Sequence, residues 1–246
     1  MDRSLYIAMT GAAQALKAQA TNSHNLANVS TTGFKASLDS FKSVPVEGEG
    51  HASRVYAVAA HAGNDVSPGP INPTGRELDF AVNGEGWIAV QSVDGNEAYT
   101  RAGDLRVSSA GILVTGAGHP VIGNSGPIAI PPAEKLEIGS DGTISIRPLG
   151  QTAQSLAVVD RIRLVNPPGS EMRRGGDSLF RHVSNEPQVP DAGVTIQAGA
   201  LEGSNVSAVE SLARMIELSR QFEMQVKVMR AAESNEEKAT ELMRLG

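Results

Sequence analysis

Cysteine is absent from the 246 residues. That removes disulfides, thiol nucleophiles and thiolate metal ligands together, and it leaves the redox compartment open. Aromatic residues make up only 4% of the chain, too few to line a base-stacking platform or an aromatic sugar cleft. Positive charge is in deficit: the formal net charge is −6, whereas a nucleic-acid partner demands a basic surface. Nowhere do roughly eighteen apolar residues run together, so no membrane-spanning helix is expected. The opening MDRSLYIAMTGAAQALKAQATNSHNLAN carries no long apolar core of the kind a cleaved secretory signal needs. By these signs alone the address is cytosolic.

Catalytic patterns are missing as well. His24, His51, His61, His119 and His182 are scattered singly, with no second His or Glu at a zinc-helix spacing. No nucleophile elbow, phosphate loop or calcium loop occurs. TGAGHPV opens like a dinucleotide fingerprint, but Val121 stands where the last glycine belongs, and strands rather than a helix flank it. Asn28-Val29-Ser30 and Asn205-Val206-Ser207 match the glycosylation triplet, yet both sit at expected helix ends, where such side chains bond backbone. No catalytic, cofactor-binding or metal-binding residue is expected, and no enzyme.

What the chain does have is helical rhythm at both ends. Tyr6, Met9, Ala13, Leu16, Ala20, Ser23 and Ala27 alternate three and four apart, a heptad seam, with Leu5, Ala12 and Leu26 alongside. The seam is poor in bulk. At about 0.8 kcal/mol per buried CH₂, alanines hold a helix weakly without a partner. The partner lies in 205–245, where Ala208, Leu212, Met215, Ser219, Phe222, Val226 and Met229 repeat the rhythm. Ser207 and Glu210 form a capping box at its start. The shared period predicts a terminal coiled-coil pair.

The middle differs. Residues 37–79 read as an extended Gly/Pro-rich connector, with VYAVAAH (55–61) as one short strand. From 80 to 200 short apolar runs alternate with turn signals. GWIAVQSV and AYTR flank an Asp-Gly turn, LRVS and ILVT flank SAG, LEIG and TISI flank SDG, and LAVVDRIRLV reads as one longer strand. The expected class is α+β: helical segments 1–36 and 201–246 forming a coiled-coil-like domain, with an all-β domain of short antiparallel strands (80–200) inserted between them.

One stretch makes this specific. NLANVSTTGFK, with Asn25, Leu26, Ala27, Asn28, Thr32, Gly33, Phe34 and Lys35, resembles the N-terminal signature N-L-A-N-x-x-T-x-G-F-[KR] of the flagellar basal-body rod and hook proteins. The stretches LDFAVNGEGWIAV and YTRAGDLRVSSAGILVTGAGHPVIG are similar to that family's β-domain, with Trp87-Ile88 and Leu105 departing from its usual aromatics. ALEGSNVSAVESLARMIELSRQFEMQVKV is similar to its C-terminal helix. The likeness is collinear over nearly the whole chain, and it is strongest to the proximal rod type. The alternatives are the distal rod type and, outside the family, a secreted tail- or adhesin-type structural protein.

The resemblance implies a structural subunit of the bacterial flagellar rod, self-assembling helically with other rod proteins and with its own copies to transmit torque. It implies export through the flagellar type III apparatus to the periplasmic rod, with no cleaved signal, no nucleic acid and no membrane insertion. Asn25 and Asn28 are expected to bond backbone at the helix end, Gly33 to turn the chain, Phe34 to bury as an anchor and Lys35 to stay solvated. Leu212, Met215, Phe222, Val226 and Met229, with Tyr6, Met9, Leu16 and Leu26, are expected to carry assembly. The weak seam suits termini that order only on assembly.

Overall fold

The computed structural model describes residues 3–45, 55–148 and 156–244. Two compact units divide the chain. One comprises Met1–Asn28, Ser37–Gly63 and Val206–Gly246; the other comprises Val29–Ala36 and Asn64–Asn205. Two α-helices and many short, mainly antiparallel strands make the class α+β among the described residues.

The first unit is built on α1 (Arg3–Ala27) and α2 (Ala208–Arg244), which pack on each other. Alanine, the best helix former, dominates α1. Ser207 caps α2 by accepting the Glu210 backbone N–H at 3.3 Å. Asn22 Nδ2 donates to the Ser211 carbonyl at 2.7 Å, and Gly11 faces the Gln225 side chain, so the helices run antiparallel. The buried face of α1 is Ala8, Ala12, Ala15, Ala18 and Asn22, and α2 answers with Ser211 and Leu218.

This differs from the expected seam by one position. Tyr6, Met9, Ala13, Leu16, Ala20, Ser23 and Ala27 are all exposed. The buried set instead falls at spacings of four, three, three and four, and its small alanines allow the helix axes to come closer. Close approach won over bulk.

Beside the helices, β1 (Ser37–Pro45) and β2 (Val55–Asn64) form a two-stranded sheet. An extended connector with one short strand was expected here, so Ser37–Pro45 and Val55–Asn64 are more regular than expected. The glycine-rich residues 46–54 lie outside the described residues.

The second unit holds the bulky core. Its five-stranded sheet runs in the order Leu164–Val165, Trp87–Gln91, Glu97–Thr100, Phe180–His182, Met172–Arg174. Trp87–Gln91 is buried on both faces. Ile88 and Val90 join the main cluster with Phe80, Leu105, Leu113 and Ile144, while Trp87 and Ala89 join a second with Tyr99, Met172 and Phe180. Period-two alternation therefore feeds two cores from one strand. The three hairpins read from the sequence occur at Trp87–Thr100, Leu105–Thr115 and Ala133–Pro148. LAVVDRIRLV breaks in two: Ala157–Arg161 pairs with Thr143–Pro148, whereas Leu164–Val165 crosses to pair with Trp87 and Ile88.

Candidate assembly site

Two features stand out as sites of interaction: an exposed apolar face on each terminal helix, and a buried ionic cluster in the β-unit where distant chain segments meet.

On α1, Tyr6, Met9 and Leu16 are 46%, 52% and 50% exposed. On α2, Leu212 is exposed with Val209, Ile216, Met224 and Val228, while Met215, Phe222, Val226 and Met229 are half-buried. Each helix thus turns one face to its partner and keeps an apolar face in solvent. Exposed apolar residues grouped along a helix are candidates for an interaction surface. Leu26 is half-buried at the end of α1.

The asparagines of the signature are backbone ligands. Asn25 Nδ2 donates to the Ser37 carbonyl and Asn25 Oδ1 accepts the Ser37 N–H, both at 2.9 Å. This two-way clip fixes the start of β1 beside the end of α1. Asn28 Nδ2 donates to the His24 carbonyl at 2.8 Å, satisfying one of the orphan acceptors of the last turn.

The residues that follow belong to the β-unit. Gly33 has φ +65°, and its N–H donates to the Glu202 carbonyl at 2.8 Å. A Cβ there would lie 2.4 Å from the Arg101 carbonyl carbon, so the position is closed to any side chain. Phe34 is buried, with the Arg174 guanidinium 4.3 Å from its ring centroid.

Lys35 overturns an expectation. It was expected to be solvated, yet it is 1% exposed. Its Nζ donates to Glu202 Oε1 at 2.6 Å and to the Ser67 carbonyl at 2.7 Å. Glu202 also takes Arg101 Nη1 on Oε2 at 3.0 Å and the Gly69 N–H on Oε1 at 2.9 Å. Arg101 donates further to the Gly84 carbonyl and stands over the Trp87 ring at 5.5 Å. Two cations therefore share one carboxylate in a site closed to water. Burial pulls the Lys35 ammonium below its ordinary value, and the bond to Glu202 opposes this without cancelling it.

Asn205 completes the lacing. Its Oδ1 accepts the Ala36 N–H and its Nδ2 donates to the Asp65 carbonyl, both at 2.8 Å. Its own N–H reaches the Phe34 carbonyl at 3.2 Å, and the Asp65 N–H reaches the Ala36 carbonyl at 2.8 Å. Asn205 was expected to bond backbone and does, whereas Arg101 and Glu202 were not singled out from the sequence. The available signal was charge in apolar company: Arg101 closes a buried strand, and Glu202 sits between Leu201 and Gly203.

Among the described residues no group of three or more His, Asp or Glu side chains is placed to hold a metal ion. Nor is any helix long and apolar enough to cross a membrane.

Three family descriptions match along the chain: "Flagella basal body rod protein" over residues 5–35, "Flagellar hook protein FlgE/F/G D1 domain" over 81–146, and "Flagellar basal body rod FlgEFG protein C-terminal" over 197–242. Among curated relatives, the flagellar basal-body rod protein FlgF of Escherichia coli K12 is 44% identical, with 99% of each chain covered. FlgF of Salmonella typhimurium is 42% identical with the same coverage. The rod protein FlgG of Buchnera aphidicola from Schizaphis graminum is 33% identical, over 97% of this chain and 99% of the relative.

Proposed function

The chain belongs to the flagellar basal-body rod protein family and is a structural subunit of the rod, and from that premise we propose that it is of the proximal rod type and builds the rod wall through its terminal helices. The proximal assignment is supported by 44% and 42% identity to FlgF of Escherichia coli and Salmonella typhimurium, against 33% to the FlgG relative. Its partners are other rod proteins and further copies of itself. They meet in a coiled-coil layer formed by α1 and α2. Assembly on helical symmetry with torque passing along the wall is the activity. Delivery runs through the flagellar export apparatus to the periplasmic rod, without a cleaved signal, membrane insertion or nucleic acid.

The observation that carries this reading is the solvent-exposed apolar face of α1, with Tyr6, Met9 and Leu16 about half exposed although an alanine face serves the partner helix. A face of that kind has a direct use in a close-packed tube. The double substitution Met9→Ser/Leu16→Ser tests it in cells that carry no other copy of the gene. The expected result is exported, folded protein, no completed rods and no swimming. Wild-type motility with normal rods in that strain would reject the role of the face.

A further inference from the structure

The Lys35–Glu202–Arg101 cluster sits at a place with consequences for the helices. The chain passes between the two units at 28/29, 36/37, 63/64 and 205/206. The residues joined by the cluster and by Asn205 are Gly33–Ala36, Asp65–Gly69 and Glu202–Asn205. Those are the stretches of the β-unit next to the crossings, gathered into one knot. Only residues 28–32 separate α1 from Gly33, and only residues 203–207 separate Glu202 from α2.

We infer that this cluster is a clasp: while it is closed, short tethers hold α1 and α2 at high effective concentration, and when it opens the helices separate although the β-core stays folded. This rests on the structure and not on the rod assignment. The α1 side of the seam offers little hold, being made of Ala8, Ala12, Ala15 and Ala18, and Leu218 is the one large apolar side chain of α2 fully buried against it among the described residues. Pairing through so weak a seam depends on how closely its two ends are confined, and loosening a tether lowers that confinement directly. The clasp is also finely balanced. Desolvation offsets most of what a buried ion pair returns, and here one carboxylate serves two cations. Removing one member therefore changes the clasp more than the core around it.

Lys35→Ala is the test, because it removes the ammonium that ties the 33–36 segment to Glu202 and Ser67 yet leaves Arg101 and Glu202 as a one-to-one pair. Amide hydrogen exchange is read on the full chain, in α1, in the first half of α2 and in Trp87–Gln91. Protection in both helices should fall at least tenfold, and protection in Trp87–Gln91 should stay as in the parent. The absence of native cysteine permits a rescue arm. Asn22→Cys/Ser211→Cys, oxidised to join the helices where their side chain and backbone now bond, should restore helix protection in the Lys35→Ala background. Helices as protected as in the parent would overturn the clasp. So would loss of the core strand together with the helices, or failure of the covalent link to restore them.

Discussion

The two units handle their apolar residues in opposite ways. In the β-unit the large side chains are inside: Phe80, Ile88, Leu105, Leu113 and Ile144 are all 0% exposed. In the helical unit alanines fill the α1 side of the seam and Leu218 alone among the large apolar side chains of α2 is fully buried, while Tyr6, Met9, Leu16, Leu212 and Ile216 lie in solvent among the described residues. Full burial of a Leu or Ile is worth about 1.5–3 kcal/mol, against about 0.8 for an alanine methyl. The β-unit therefore carries the stability of the isolated chain, and the helical unit carries unfinished surface. A region that is poorly satisfied alone is where association gains most.

Four measurements press on that contrast. The largest effect is expected from Ile88→Ala, which opens a cavity in the main core and should cost about 2–5 kcal/mol in urea unfolding; a loss below about 1 kcal/mol would mean the β-unit is not the stable half. Next is Gly33→Ala, where positive φ and a backbone clash should cost about 2 kcal/mol. An unchanged midpoint would show that the chain can turn there in another way.

A smaller effect concerns Asp177, whose carboxyl is pushed down to about 2 by the Arg181 guanidinium, with the Leu179 N–H helping. A carboxyl depressed on folding stabilises above its ordinary value of 3.8 and ceases to as pH falls toward 2. Asp177→Asn should therefore destabilise by under about 1 kcal/mol at pH 6, given partial solvent screening. The gap to the parent should close between pH 4 and pH 2. A gap that persists at pH 2 would assign the loss to packing instead. The smallest effect is that of Met9→Ser/Leu16→Ser on the isolated chain, expected within about 0.5 kcal/mol. That is the same pair expected to abolish rods. A clear drop in its melting temperature would erase the distinction between the two units.

Local signals were legible where chemistry is local. The Ser207 cap, the Gly33 turn and the three hairpins depend on residues within a few positions of one another. The helical rhythm was legible too, but not its phase. Two interleaved sets on α1 are spaced by threes and fours, and only the partner decides between them. Lys35 was read as solvated because the carboxylate that receives it lies at 202, and no spacing rule connects the two. The break in LAVVDRIRLV is also non-local. Ile162 and Arg163 donate to the Gly142 and Ile122 carbonyls, which carry the chain from one sheet to the next. β1 escaped notice for the opposite reason: SLDSFKSVP has no buried residue, so it carries no alternating pattern.

The helical unit is assembled from the first, a middle and the last portions of the polypeptide, whereas the β-unit is complete once residue 205 exists. During synthesis the rigid half can close while α1 still waits for a mate, because α2 follows residue 205 in the chain. A product truncated before α2 therefore keeps α1 without its partner helix, and the pairing of the two arrives only with the residues that follow Asn205.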